Sequence, residues 1–227
     1  MLQFLLDLLF PRFCLGCHKL GKYFCEKCVV DIKYMEPQVC PYCELPSLYG
    51  FTHPRCQKAW GLDGMFVLAH YTGIIREAIK EIKYQKAFAI SDELAALTIA
   101  RYHAKYNFDY LVPVPLSKSR ECDRGFNQAR KLAEGLVKNL KTGIVAEFLI
   151  RTKDTKPQFD LAYEERKQNM LGVFALNSKL KITDLKNCNF CLVDDVATTG
   201  ATIFECAKVL KRAGAGKVFA ICIARGN

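Results

Sequence analysis

Residues 190–203 constrain this chain more than any other stretch. An unbroken apolar run, Phe190-Cys191-Leu192-Val193, leads into two adjacent carboxylates, Asp194 and Asp195. A small-residue loop with Thr198, Thr199 and Gly200 follows. A short continuous apolar run bounded by turn residues fits a buried strand, here over 190–193. Past Gly200, Ile203, Ala207, Val209 and Leu210 fit the buried side of a helix over 201–213, and Gly214 suits its end. A second apolar run, 218–223, comes after a short turn. Strand, helix and strand in this order make a βαβ unit, so the chain is expected to build an α/β domain on a parallel sheet.

The loop inside that unit has a chemical use. Backbone N–H groups at a helix N-terminus, with the helix dipole behind them, form an anion site. Val196, Ala197, Thr198, Thr199, Gly200, Ala201 and Thr202 span the approach to the expected helix, with three hydroxyls and a glycine that lets a phosphate come close. Asp194 and Asp195 lie one turn away, placed to accept from sugar hydroxyls or to hold a hydrated Mg²⁺. A phosphate cradle beside a diol acceptor is what a 5-phosphoribosyl group requires.

The start of the chain is of another kind. Seven of the twelve cysteines precede residue 57. Cys14-x-x-Cys17 and Cys25-x-x-Cys28 supply four thiolates, a closed tetrahedral set for structural Zn²⁺. Cys40-x-x-Cys43 and His53-x-x-Cys56 supply three sulfurs and an imidazole. Spacing leaves the pairing open, because Cys14 and Cys17 could equally join Cys40 and Cys43. The region is poor in apolar residues, so metal is expected to provide much of its fold. Residues 1–60 are therefore read as a terminal helix with a zinc-finger region, and 61–227 as the α/β domain. Cys122, Cys188, Cys191, Cys206 and Cys222 are read as ordinary fillers.

No apolar run reaches the roughly 18 to 20 residues of a membrane span. The opening residues lack a basic segment and a small-residue cleavage site, so they are read as a short helix covering the core, with peripheral membrane contact as the alternative. A cytoplasmic location is expected. The net charge of +10 suits phosphorylated substrates or nucleic acid, or simply a basic surface.

Between these regions the pattern predicts a strand over 66–71, a helix over 74–84, a helix over 90–106 and a short strand over 111–115 ending in prolines. Ser117, Lys118, Ser119 and Arg120 then form a turn with hydroxyls and cations, suited to pyrophosphate. A polar stretch over 151–176, containing Arg151 and Arg166, reads as a lid or as an ordinary exposed connection.

The string Val193-Asp194-Asp195-Val196-x-Thr198-Thr199-Gly200-Ala201-Thr202 resembles the phosphoribosyl-pyrophosphate (PRPP) loop of type I phosphoribosyltransferases. The paired CxxC motifs, Ile82-Lys83-Tyr84, Val112-Pro113-Val114-Pro115, Arg124-Gly125-Phe126-Asn127-Gln128, Thr155-x-x-Gln158 and Arg166-x-x-Asn169 extend that likeness over nearly the whole chain, which resembles the ComF/GntX family. His53-x-x-Cys56 departs from it, since many members carry another CxxC there. The resemblance implies a type I phosphoribosyltransferase fold behind a zinc finger, with PRPP and Mg²⁺ as ligands. It implies that residues 198–202 hold the 5-phosphate and that Asp194 and Asp195 hold the ribose hydroxyls. Ser117, Lys118, Ser119, Arg120 and Lys83 would receive pyrophosphate, and Arg151 and Arg166 would neutralise the leaving group. It also implies a task in natural transformation, with single-stranded DNA and a ComFA-like ATPase as partners. Thr198 stands where purine-salvage enzymes commonly carry an acid, which argues against a purine acceptor. The alternatives are an inactive relative that binds single-stranded DNA or a competence partner, and a PRPP-sensing regulator.

Overall fold

The computed structural model describes residues 11–83, 87–104, 106–153, 170–179 and 185–226. Its centre is a five-stranded sheet in the order β1-β7-β6-β2-β3, formed by β1 (Gly64–His70), β2 (Tyr110–Pro113), β3 (Ile144–Val145), β6 (Phe190–Ala197) and β7 (Val218–Arg225). Every pairing in it is parallel. A separate antiparallel pair joins β4 (Leu149–Arg151) to β5 (Phe174–Leu176). The helices are α1 (Glu26–Val30), α2 (Gly73–Ile82), α3 (Ala87–Arg101), α4 (Lys118–Arg124), α5 (Gln128–Leu140) and α6 (Ala201–Arg212).

Side-chain alternation along the strands builds two cores. Phe66, Leu68, Leu111, Cys191, Val193 and Ile221 face Ile79 of α2, Leu94 of α3 and Leu132 and Leu136 of α5. Met65, Val67, Val112, Leu192 and Ala220 face Ile203, Ala207 and Leu210 of α6. Strands covered on both faces read as continuous apolar runs, which is why 190–193 and 218–223 stand out in the sequence. Helices α3 and α5 pack closely because Gly135 has no side chain: a Cβ there would lie 2.8 Å from that of Ala95.

Some boundaries differ from expectation. The strand read over 190–193 continues to Ala197, because its pairing with β7 runs on to the Ala197–Arg225 position. Both carboxylates thus sit inside the strand. The helix read over 90–106 ends at Arg101. Beyond it Tyr102, Tyr106 and Phe108 gather against Phe66 and Phe219, contacts that a continuing helix would carry away from the sheet. The turn read over 117–120 winds into α4, capped by Ser117 and closed by Gly125 in the left-handed region.

The cysteine-rich start covers the free edge of β1. Met35 N–H donates to Leu68 O at 3.0 Å, His70 N–H to Lys33 O at 2.9 Å and Thr52 N–H to Asp63 O at 2.9 Å. Gln38 completes the cover: its amide donates to Met35 O and Val67 O, and its Oε1 accepts from Val67 N–H at 2.9 Å. On one side of this edge Phe24 N–H donates to Glu93 of α3; on the other Tyr42 stacks on Phe204 of α6 at 4.9 Å. An unpaired sheet edge would otherwise invite association with another chain.

Gln38→Ala leaves the Val67 amide and carbonyl without that partner. It is expected to lower the unfolding free energy by about 1–3 kcal/mol in urea titration. Gln38→Glu is not expected to restore the loss, because a carboxylate cannot donate to the two carbonyls.

Candidate functional site

In a parallel sheet the strands end on one side, and ligands of such folds bind there. Here that side holds a cleft of about 240 Å³ lined by Lys83, Arg120, Arg151, Asp194, Asp195, Thr198 and Thr202. Val196 also lines it. Segments far apart in sequence therefore meet around the two carboxylates.

Alternation along β6 sends the acids to opposite faces of the strand. Asp195 turns toward α5, where Gln128 Nε2 donates to its Oδ2 at 3.4 Å and Lys83 Nζ lies 3.6 Å away. Its other oxygen accepts from Val196 N–H at 2.8 Å. Arg124 in turn donates to Gln128 Oε1 at 2.9 Å. Asp194 turns toward the α6 side, and its Oδ1 accepts from Asp195 N–H at 2.9 Å. Burial first, and then the charge of Asp195, raise the Asp194 carboxyl well above the usual carboxylate range, with Lys83 a partial counterweight. Two adjacent oxygen-donor carboxylates with one costly charge between them fit a hydrated divalent cation.

The loop beyond β6 is shaped by Gly200, at φ +74° immediately before α6. A Cβ there would stand 2.9 Å from the Phe204 ring, so both backbone and space favour glycine. Thr199 Oγ1 accepts from Ala201 N–H at 3.3 Å, and Thr202 donates to Met170 Sδ at 3.5 Å. Ala197, Gly200 and Ala201 are buried and support the loop through the backbone; Ala197 O accepts from Gly226 N–H.

The four residues of the expected pyrophosphate turn separate. Arg120 reaches the cleft. Ser117 is buried and its Oγ accepts from Arg120 N–H, so it caps α4. Lys118 lines a neighbouring cavity of about 180 Å³ that Arg151 also borders, and Ser119 is exposed. Arg151 Nε donates to Lys153 O at the end of β4. Arg166 lies outside the described residues, as do 154–169 of the segment read as a lid.

Arg124, a further cation of the turn, also reaches the cleft, and Tyr71, Val114, Pro115, Leu116, Gln128 and Gly226 line it without having been read as site residues. Gln128 had a signal, being in step with the buried Leu132 and Leu136 on the inward face of α5. Tyr71 and Gly226 had none, because the parallel register of β1 with β7 brings them together.

The two metal-ligand sets are equally well defined. Ligand atoms of Cys14, Cys17, Cys25 and Cys28 lie within 4.8 Å of one another, as do those of Cys40, Cys43, His53 and Cys56. Tetrahedral Zn–S bonds put sulfurs about 3.8 Å apart, and Cys17 Sγ stands 3.6 Å from Cys25 Sγ. The pairing is thus sequential, not crossed. His53 Nδ1 points at Cys43 Sγ from 3.3 Å while Nε2 lies 3.1 Å from Pro46 O, the outer partner that orients a ligating imidazole.

The two sets also share a hairpin. Cys14 N–H donates to Lys19 O and His18 N–H to Cys14 O; Cys40 N–H donates to Leu45 O and Glu44 N–H to Cys40 O. Without metal the sulfurs disagree about their protons. Burial opposes ionisation of Cys14, but the amides of Cys17, Cys25 and Gly16 lower it to about 6. Cys28, hydrogen-bonded first to Cys17 and then partly buried, is pushed up to about 12. Four thiolates in so small a space need a cation, which fits structural zinc.

Two outcomes follow from this geometry. Purified protein is expected to hold one zinc in each set, and Cys14→Ser to lose one zinc while the Cys40 set keeps its own, by elemental analysis; crossed pairing would disturb both. The raised Asp194 carboxyl means that the native state holds a proton more tightly than the unfolded chain, so its contribution to stability falls as pH rises through that window. Asp194→Asn removes this cost and is expected to raise the ligand-free melting temperature at pH 7 by about 2–4 °C, the shift that roughly 1 kcal/mol gives in a chain of this size.

Among the described residues no helix is long and apolar enough to cross a membrane. The double zinc ribbon domain family matches residues 5–58, spanning both ligand sets. Competence protein F of Haemophilus influenzae is 30% identical over 213 residues, covering 90% of this chain and 86% of that protein. DNA utilization protein YhgH of Escherichia coli is 30% identical over 197 residues, 82% of this chain and 84% of the relative. Competence protein ComFC of Bacillus subtilis is 26% identical over 203 residues, 84% and 78% respectively. With a mainly parallel α/β sheet, a zinc ribbon pair at its edge and that coverage, the chain belongs to the ComF family.

Proposed function

We propose that this protein acts in competence, in the uptake and use of DNA, as a phosphoribosyltransferase-type protein whose cleft binds PRPP with Mg²⁺. The names of its relatives support the first part, since two are competence proteins and one a DNA utilization protein. One observation carries the second. Lys83, Arg120, Arg124 and Arg151 converge on the Asp194–Asp195 pair beside the Thr198–Thr202 loop at the N-terminus of α6.

That arrangement matches the parts of PRPP. The 5-phosphate takes the α6 N-terminus with the Thr198 and Thr202 hydroxyls. Asp194 and Asp195 accept from the ribose hydroxyls, with Gln128 and Lys83 holding Asp195 in place. Arg120 and Arg151, with Lys83, face the pyrophosphate. A bound Mg²⁺, held by Asp194 and Asp195, supplies charge neutralisation at the phosphates. Breaking the C1–pyrophosphate bond leaves positive charge on the sugar and negative charge on the leaving group, so the residues act by positioning and electrostatics. Asp194 and Asp195 are the only carboxylates lining the cleft among the described residues. With Thr198 in place of an acid, proton transfer from the acceptor has no dedicated base on the loop, which fits an acceptor other than a purine.

Calorimetry of PRPP with Mg²⁺ on zinc-replete protein tests this reading. Saturable one-site binding is expected, and Asp194→Ala/Asp195→Ala is expected to abolish it at unchanged zinc content. Failure of the intact protein to bind would overturn the transferase reading and leave a scaffold for DNA or protein partners. Arg120→Ala should weaken PRPP more than ribose 5-phosphate, because it faces only the pyrophosphate end.

A further inference from the structure

A second crevice opens beside the cleft. It has a volume of about 630 Å³ and is lined by Lys33, His70, Tyr71, Thr72, Gly73, Arg76 and Arg225. Three separate segments build it: the stretch after α1, the β1–α2 junction, and the end of β7. No carboxylate lines it among the described residues. Arg225 is paired with Glu44, so its charge is already offset, while Lys33 and Arg76 are exposed. Among the described residues these two charges have no carboxylate partner, and His70 at the end of β1 adds an imidazole.

The helix end adds to this field. Thr72 precedes α2, a helix of 10 residues, and makes no side-chain hydrogen bond that caps it. The first amides and the positive end of the helix dipole thus face the same crevice as Arg76. Tyr71 lines both the crevice and the cleft, and Arg225 of the crevice is followed directly by Gly226 of the cleft. Tyr71 and the Arg225–Gly226 backbone thus lie between the two spaces.

We propose that this crevice binds a phosphate monoester or diester of a nucleotide or nucleic-acid strand, whose base or sugar reaches over Tyr71 toward the cleft. Its role as the acceptor's docking site rests on the transferase reading given above; the phosphate site itself does not. A crevice with cations, helix amides and an aromatic flank suits a phosphate with a stackable base, and suits a neutral acceptor poorly.

The test uses zinc-replete, full-length protein and a 3′-labelled, 5′-phosphorylated oligothymidylate of about ten nucleotides, followed by fluorescence anisotropy across a salt series. Lys33→Glu/Arg76→Glu is compared with Lys141→Glu/Lys179→Glu, an equal charge change placed away from the crevice. The crevice variant is expected to lose on the order of tenfold or more in affinity at 0.1 M salt, and its log–log salt slope should fall by about 1.4, the release expected for two contacts on a single strand. The control variant should stay within about twofold. Equal losses in the two variants, or none in either, would overturn the site.

Competition by thymidine 5′-monophosphate would mark a terminal monoester as the ligand; competition only by unphosphorylated dithymidine with an internal phosphate would mark the diester. Either result supports the crevice, and competition by neither overturns it. Asp194→Ala/Asp195→Ala keeps strand binding if the crevice is a separate site, and loss of strand binding there overturns the separation. Strand binding that depends on Lys33 and Arg76 in a protein that fails to bind PRPP would keep the crevice and remove the transferase reading instead.

Discussion

The parallel pairing of β6 with β7 continues beyond the apolar part of both strands, and the functional side of the molecule depends on that continuation. It holds Asp194 and Asp195 in extended backbone, so that neighbouring carboxylates point to opposite faces instead of colliding. It also carries β7 to Arg225, which places Gly226 against Ala197 and closes one wall of the cleft. A turn at Val193 would have left the acids on a loop, with their positions set by nothing but local hydrogen bonds.

The zinc region is tied to this sheet by its edge. Lone zinc ribbons are too small to hold a large core, and here the region contributes side chains to both cores of the α/β domain: Tyr23, Phe24 and Ile32 on the α2–α3 face, Met35 and the half-buried Tyr42 on the α6 face. Metal fixes the hairpins, and the hairpins cover β1. The reciprocal gain is that Lys33, between the two ligand sets, is held beside the end of β1. The metal-ligand sets at the start of the chain and the cleft at the sheet end are thereby linked through one strand.

Charge follows the same geometry. A positive excess spread along the sequence says little, and most of the ion pairs found, such as Arg130 with Glu134 and Glu147, lie on exposed helix faces where they contribute little. What distinguishes the strand-end side is that cations from unrelated segments converge there around few acids. Lys83 and Arg124 are held on the Asp195 network, so the cleft has its positive charges positioned before a ligand arrives. Preorganisation of this kind is the form in which electrostatics contributes most to catalysis and recognition.

The sequence by itself determined the parts that local chemistry fixes: the βαβ unit from its apolar runs, the paired acids and the hydroxyl-and-glycine loop between its strand and helix, and the two sets of metal ligands from cysteine spacing. It did not determine where β6 ends, because strand length is set by the partner strand and not by the strand's own residues. It left zinc pairing open, because three CxxC pairs and one HxxC pair of equal spacing can combine in more than one way until their positions in space are known. The turn read as pyrophosphate-binding shows the same limit: Ser117, Lys118 and Arg120 are adjacent in sequence, yet the winding of α4 sends them to a cap, a side cavity and the cleft. Only the tertiary structure joined Tyr71, Gln128 and Gly226 to the site, since each arrives through register or helix packing across long stretches of chain.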